Sequence, residues 1–126
     1  MWGMTRIRIT WPANQLTATL EDTSTTKALL AALPISSSAS TWGEEVYFET
    51  GVSVARDLDA RQIVDPGTVA FWTDGDSLAL PYGPTPISHG DECRLASACN
   101  VLGVIDGDPR LLATVRPGDP IRVELA

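Results

Sequence analysis

Residues 5–20 read TRIRITWPANQLTATL, and polar and apolar side chains alternate along them on both sides of a turn at residues 12–15. An alternation with a period of two predicts a β-strand that buries one face. Two such strands joined by a short turn with proline and asparagine predict a β-hairpin. We therefore expect the chain to begin with a hairpin over residues 5–20.

Further alternating segments follow the hairpin. In residues 45–49, Val46 and Phe48 share one predicted face of a strand, after a turn at Gly43. Glu45 and Tyr47 lie on the opposite face. Glycine-containing turns precede three further predicted strands, at 69–72, 92–95 and 121–124. Two more strands are predicted in the serine-rich stretch 35–41 and at 100–105.

One segment has a helical pattern. Thr23 or Ser24 can cap a helix whose closely spaced apolar positions run from residue 28 to residue 33, until Pro34 ends it. We expect a helix of about three turns with its leucines in the core. Residues 55–65 predict a surface loop with one helical turn near 58–62, and residues 109–113 predict another short helical turn.

These elements define the predicted fold. About eight short strands, one α-helix and many glycine or proline turns predict a mainly β protein, closed into an eight-stranded antiparallel barrel. Closure removes the exposed edges that short strands would otherwise present. A length of 126 residues is typical of one domain, so we predict a single domain over residues 1–126.

The charge balance excludes some partners. The chain has 9 basic and 16 acidic residues, a formal net charge of -7, and its sequence pI is about 4.4. This acidic balance repels phosphate backbones and anionic lipids, so we expect neither nucleic acid nor a membrane as partner. The first residues lack the pattern of a signal peptide, and no segment approaches the ~18 apolar residues of a membrane span. A cytoplasmic location is the expectation.

The cysteines and the histidine give no metal or cofactor motif. Cys93 and Cys99 are not a Cys-x-x-Cys pair, and His89 is the only histidine, in a His-Gly-Asp turn. We therefore predict no metal site and no cofactor. The two cysteines are expected as reduced core thiols, with a bridge between them as the open alternative. One histidine without a Gly-x-Ser-x-Gly elbow also argues against a hydrolase triad.

Two segments carry a family resemblance. They are STWGEEVYF at residues 40–48 and YGPTPIS at residues 82–88, followed by GDE at 90–92 and ACNVLG at 98–103. Together they resemble the small prokaryotic cyclophilin-like proteins of uncharacterised function, over residues 6–124. The resemblance implies an eight-stranded barrel like that of the cyclophilin peptidyl-prolyl isomerases, with less loop and helix decoration.

The resemblance does not carry the isomerase activity with it. The isomerase pattern has a His-Arg pair before the active-site strand and a Phe-Met-x-Gln-Gly-Gly-Asp run after it, whereas residues 35–51 here contain no arginine, histidine or glutamine. Lowering a rotational barrier of about 20 kcal/mol needs a donor aimed at the prolyl amide. An isomerase with a non-standard site would need an arginine from elsewhere, with Arg56, Arg61 and Arg94 as the candidates.

The candidate site is an outer groove, because the cyclophilin peptide groove lies outside the barrel. Its aromatic, carboxylate and proline-stiffened groups suit a small molecule or an extended peptide. We predict a non-isomerase binding module, with the isomerase and a homo-oligomer that buries the aromatic patch as alternatives. In a purely structural alternative, Trp42 and Tyr82 pack over one end of the barrel and bind no ligand. The predicted ligand-binding residues are Trp42, Glu45, Tyr47, Tyr82, Gly83, Pro84 and Thr85.

Overall fold

The computed structural model describes residues 4–126, in which antiparallel strands predominate. The ten strands are β1 (Met4–Trp11), β2 (Asn14–Glu21), β3 (Ile35–Ser38), β4 (Ser40–Thr41), β5 (Glu45–Glu49), β6 (Arg61–Val64), β7 (Thr68–Trp72), β8 (Ser77–Pro81), β9 (Cys93–Ile105) and β10 (Pro120–Leu125). Helix α1 spans Ser24–Ala31, and 3₁₀ turns occupy Thr73–Gly75 and Pro109–Thr114. None of the helices formed by residues 4–126 is long and apolar enough to cross a membrane. The predicted mainly β fold with one helix is confirmed.

The predicted N-terminal hairpin is also confirmed. Strands β1 and β2 pair antiparallel, with Ile9 opposite Leu16, and both side chains are buried. Arg6 and Arg8 alternate with these apolar positions and lie on the other face, at least partly exposed. Because successive side chains of a strand point to opposite faces, the alternation decides which face meets the core.

The strands form one main sheet in the order β3-β10-β1-β2-β9-β7-β8-β5-β4, and β6 pairs with β9 outside this path. The two strands at the ends of the path, β3 and β4, are consecutive along the chain and are separated by Ala39 alone. The N–H of Ala39 donates to the carbonyl of Asp119, and its carbonyl accepts from the N–H of Gly118, both at 2.8 Å. The serine-rich stretch therefore pairs first with β10 and then with β5.

The prediction of a closed eight-stranded barrel is not confirmed. Residues 4–126 form ten strands, and the ladder path runs from β3 to β4 without a ladder that joins these two strands. The predicted strand at 35–41 is two strands, because its halves pair with different partners. The strands predicted at 92–95 and 100–105 are parts of β9, which is continuous.

Two strands were not predicted. Every residue of β8 is buried, so its sequence has no alternation to indicate a strand. The loop and helical turn predicted at 55–65 are wrong at their C-terminal end, where β6 pairs antiparallel with β9. Val64 lies opposite Cys93 in this pairing, a contact between residues distant in sequence that no local pattern indicates.

Helix α1 begins as predicted. The side-chain oxygen of Thr23 accepts a hydrogen bond from the N–H of Thr26 at 3.0 Å, which satisfies one of the unpaired amides of the first turn. The helix has 8 residues, so it is about one turn shorter than predicted. Leu29 is fully buried, and Leu30 and Leu33 pack partly buried against the same core.

Apolar side chains form two clusters on opposite faces of β5, β7 and β8. The main core contains Val46 and Phe48 of β5 and Phe71 of β7, together with the buried face of the hairpin. The second cluster, on the outer face, lies between these three strands and the N-terminal half of β9 with β6. Its members are Val64, Ala70, Ala79, Cys93, Leu95 and Cys99, with Tyr47, Trp72 and Val101 packed against it.

A buried amide connects the helix to β9. Asn100 is completely buried, and its Nδ2 donates to the hydroxyl of Thr25 and to the carbonyl of Ala55, both at 3.0 Å. Its Oδ1 accepts from the N–H of Asp57 at 2.7 Å. The side chain therefore links β9, α1 and the segment that leads into β6.

We expect Asn100→Ala to lower the free energy of unfolding by about 3 kcal/mol, because it leaves the buried Thr25 hydroxyl and two backbone groups without this partner. Denaturant unfolding measures the loss. Asn14→Ala is the control, since the exposed Asn14 side chain accepts only from the N–H of the adjacent Gln15. Equal losses in the two variants would contradict this account.

Candidate functional site

The site begins at the tight turn between β4 and β5. The N–H of Trp42 donates to the carbonyl of Glu45 at 3.0 Å, and Thr41 lies opposite Val46 in the ladder. Gly43 has a φ of +60°, which places glycine at the first central position of a two-residue hairpin loop. Glycine at that position is typical of type II′ turns in β-hairpins. The predicted turn at Gly43 is confirmed.

The turn fixes which side chains of β5 face outward. Val46 and Phe48 are in the main core, as the alternation predicts. Tyr47 is half-buried on the second cluster, opposite Ala79 of β8, and Glu45 lies two residues before it on the same face. The predicted division of β5 into two faces is confirmed.

A cavity of about 180 Å³ opens on this outer face. Strands β5, β7 and β8 form its floor, and β9 forms another wall. Its lining is mostly apolar, with one carboxyl group. The eight lining residues are Trp42, Glu45, Tyr47, Trp72, Ala79, Leu95, Ala96 and Cys99. A dry cavity of ~150 Å³ accommodates benzene, so this cavity has room for a ligand group of similar size.

Aromatic rings form much of the cavity wall. The rings of Tyr47 and Trp72 have centroids 6.2 Å apart and an interplanar angle of 85°, an edge-to-face pair. The indole N–H of Trp72 donates to the hydroxyl of Ser97 at 3.0 Å, which fixes the ring and satisfies its polar atom. Trp42 adds a third ring from the hairpin turn.

Glu45 is the polar group of the cavity. Glu45 is only 6% exposed, and its Oε1 is the one buried side-chain nitrogen or oxygen among residues 4–126 without a hydrogen-bond partner. Burial disfavours the charged form and raises the pKa of Glu45 to about 7. Near neutral pH this carboxyl group therefore exists in both protonation states.

The cysteines near the site are free thiols, as expected. Cys99 lines the cavity, and Cys93 lies in the same cluster. Burial raises the pKa of Cys99 to about 12, and the nearby Glu45 carboxylate contributes to the increase. Because the thiolate is the nucleophile, Cys99 is not activated for nucleophilic chemistry at neutral pH.

The arginines suggested for an isomerase do not line the cavity. Among the described residues, none that lines the cavity is an arginine. Arg56 pairs with Asp74 at 3.2 Å, and Arg94 pairs with Glu92 at 2.8 Å. Arg61 is exposed on β6. In the same described part of the chain, no three His, Cys, Asp or Glu side chains come together as a metal site.

The structure brings three of the seven predicted site residues, Trp42, Glu45 and Tyr47, to the cavity. Residues 82–85 lie beside the hairpin turn instead. The Tyr82 ring packs against the main core. The hydroxyl of Thr85 is buried and donates to the backbone carbonyl of Arg94.

The two motif segments support each other. The N–H of Glu44 donates to the carbonyl of Pro84 at 2.9 Å, and the N–H of Tyr82 donates to the carbonyl of Glu44 at 2.8 Å. A Cβ atom at Gly43 would lie 2.8 Å from Cδ of Pro86 and 2.9 Å from Cα of Thr85. The backbones approach this closely because residue 43 has no side chain. Residues 82–86 thereby hold the turn that carries Trp42 and Glu45.

Sequence reasoning did not select Trp72 or the residues of β8 and β9 for the site. The alternation of β7 carries a signal for Trp72, since Ala70 and Trp72 share the face opposite Val69 and Phe71. Strand β9 passes over the outer face of the sheet and contributes Leu95, Ala96 and Cys99 to the cavity. No local pattern predicts that placement.

The fold and the outer cavity define the protein as a mainly β domain with an apolar, carboxylate-bearing pocket on the outer face of its sheet. The Cyclophilin-like family model matches residues 5–124, so the chain belongs to that family. It is similar to the hypothetical protein AF2241 from Archaeoglobus fulgidus, known from a solution structure, with 36% identity and a TM-score of 0.86. The similarity covers 99% of this chain and 98% of that one. A comparison with functionally curated proteins gave no match.

We expect the Glu45 carboxyl to make stability depend on pH. Its pKa is about 7 in the folded protein against 4.5 as the ordinary value, so between these pH values the folded chain binds more protons. The contribution of this carboxyl to the free energy of unfolding is fully present below about pH 4.5 and is lost as the pH rises through 7. The free energy of unfolding thereby falls by about 3 kcal/mol. Glu45→Gln should remove it, which denaturant unfolding at pH 4.5 and pH 8 measures.

Glu49→Gln is the matched control for this experiment, because Glu49 is the exposed glutamate at the end of the same strand. The free energy of unfolding of the wild type minus that of Glu49→Gln should change little between pH 4.5 and pH 8. The same difference for Glu45→Gln should fall by about 3 kcal/mol, since the contributions of the other carboxyl groups cancel. A flat difference for both variants would show that Glu45 titrates normally.

We expect Gly43→Ala to destabilise the protein more than Gly90→Ala. Both glycines have positive φ, +60° and +67°, but a Cβ at Gly90 would meet nothing within 4 Å. Gly90→Ala should therefore lower the free energy of unfolding only by the cost of a side chain on left-handed backbone, about 1–2 kcal/mol. Gly43→Ala adds the clash with Thr85 and Pro86, about 1–3 kcal/mol more. Thermal unfolding compares them, and equal losses would refute the close approach.

Proposed function

We propose that this cyclophilin-like domain is a non-isomerase binding module that holds a small molecule, or one side chain of an extended peptide, in the outer cavity. The proposal is carried by Glu45, whose buried Oε1 has no partner among the described residues. An unpartnered buried carboxyl oxygen costs about 1–3 kcal/mol or more, whereas a ligand donor would satisfy it. The aromatic walls supply the apolar contacts that small ligands need.

The size of the cavity limits the ligand. Pockets for drug-sized ligands usually have volumes of roughly 300–1,000 Å³, and this cavity has about 180 Å³. A nucleotide or a folded partner domain is too large to enter it. A benzene-sized molecule or a single side chain fits, with the rest of a peptide lying outside.

The isomerase alternative is disfavoured by the electrostatics of the cavity. Catalysis of prolyl rotation needs a donor aimed at the amide, and none of the candidate arginines lines the cavity. Arg56 and Arg94 are paired with Asp74 and Glu92, and Arg61 is exposed on β6. The cavity instead presents a carboxyl group, which lacks a positive charge. We expect a coupled proline-isomerisation assay to give the uncatalysed rate, and a clear acceleration by wild type that Glu45→Gln preserves would favour the alternative.

Ligand binding can be tested with a blocked cavity. Ala96 lines the cavity and is exposed, so Ala96→Trp should fill the space without disturbing the core. The probes are phenol, benzyl alcohol and benzylamine, added separately to labelled protein and followed by NMR. We expect at least one of them to shift the resonances of Tyr47 and Trp72 in wild type and to lose affinity about tenfold or more in Ala96→Trp.

Ala113→Trp is the control, because Ala113 is an exposed alanine in the 3₁₀ turn 109–114 and does not line the cavity. It should bind the probes like wild type. The proposal fails if no probe shifts the cavity resonances or if both variants bind equally. A mass measurement by light scattering on the same samples shows whether self-association, rather than a ligand, covers the aromatic patch.

A further inference from the structure

The cavity contains a negative group without an internal counter-ion. Glu45 carries the only carboxyl group in its lining, and no basic side chain of residues 4–126 lines it. Arg56 pairs with Asp74, and Arg110 lies 3.8 Å from Glu44. Arg61 lies opposite Cys99 in the β6–β9 ladder, but it is exposed and does not line the cavity. The lining residues therefore supply no positive charge to this carboxylate.

The aromatic walls favour the same kind of ligand. The faces of tryptophan and tyrosine rings are electrostatically negative, and they attract cations within about 6 Å, most strongly for tryptophan. Trp42, Tyr47 and Trp72 all line the cavity, and the last two meet nearly at right angles, at 85°. In this edge-to-face pair the edge of one ring lies towards the face of the other. The Trp72 N–H is occupied by Ser97.

We propose that the cavity binds a small organic cation, an alkylammonium or quaternary ammonium group, held between the three aromatic rings and the Glu45 carboxylate. This inference rests on the proposed function and adds the class of ligand. A neutral hydrogen-bond donor would satisfy Oε1 but would gain nothing from the ring quadrupoles. An anion is repelled by the carboxylate and by the net charge of -7.

The ionised form of Glu45 binds the cation, so affinity depends on pH. The pKa of Glu45 is about 7, and the ionised fraction rises about tenfold between pH 6 and pH 8. Cys99 keeps its proton over this range, because burial raises its pKa to about 12, and burial also raises the pKa of Cys93. The other titratable or charged groups around the cavity are Tyr47 and Glu44 of the same hairpin, the Arg56–Asp74 pair, and Arg61, which lies opposite Cys99 in the β6–β9 ladder.

The test compares two probes of the same shape and different charge. Choline carries a trimethylammonium group, and 3,3-dimethyl-1-butanol has a neutral carbon in place of its nitrogen. Titrations at constant ionic strength are followed by NMR and tryptophan fluorescence. At pH 8 we expect choline to bind about tenfold more tightly than the alcohol. Its affinity should fall about tenfold at pH 6, while that of the alcohol changes little.

Two variants assign the effect to Glu45. Glu45→Gln retains the shape of the side chain and removes the charge, so it should bind the two probes within about twofold of each other and show no pH dependence. Glu49→Gln removes an exposed charge from the same strand and should retain the wild-type preference for choline. A preference that falls equally in both variants would reflect net charge alone and would overturn the inference.

The outcomes separate the ligand class from the existence of the site. If the alcohol binds wild type as tightly as choline, the cation inference is wrong and the binding module stands. If affinity for choline rises towards pH 6, the protonated carboxyl is the binding form, and the inference is again wrong. If choline, the alcohol and the benzene-sized probes all leave the cavity resonances unchanged, both proposals fail.

Discussion

Strand β5 is packed on both faces, and the position of the cavity depends on this constraint. Val46 and Phe48 fill the main core, while Tyr47 covers the second cluster. A slip of one residue would send the carboxyl of Glu45 into the main core and two apolar side chains out of it, at a cost of several kcal/mol. The tight turn at Gly43 prevents the slip, because the loop at 82–86 packs against a residue without a side chain. The family motifs thus specify a register, and the register specifies the site.

This explains how much the sequence could predict. Alternation is a local property, so it predicted the N-terminal hairpin and the two faces of β5. The residues Trp42, Glu45 and Tyr47 were selected because the family resemblance implies a groove on the outer face. Alternation did not reveal β8, which is buried at every position, nor β6, which forms through pairing with the distant β9. The wall that β9 contributes to the cavity was hidden for the same reason. Strand count and closure depend on such long-range pairing, which is why local alternation did not predict ten strands.

Two buried polar side chains, Asn100 and Glu45, differ in how completely they are hydrogen-bonded. Asn100 is completely buried, and all three of its hydrogen bonds go to groups that are fixed in space by α1 and the segment 55–57. Glu45 is almost as deeply buried, yet one of its oxygens has no partner among the described residues. Asn100 sits in closed protein, whereas Glu45 opens onto a cavity. The fold thus provides hydrogen-bond partners for the amide of Asn100 but leaves Oε1 of Glu45 without one at the cavity.

The family frame and the chemistry of the site are separable. The chain shares a Cyclophilin-like fold over residues 5–124, but folds do not determine reactions, and the groups at the site do. In this cavity a carboxyl group lies among aromatic rings, and no arginine of residues 4–126 lines it. Such a surface attracts positive charge and does not supply it, which suits recognition of a cation better than polarisation of an amide. Because burial raises the pKa of the same carboxyl to about 7, binding of the proposed cation would be linked to proton binding at this site.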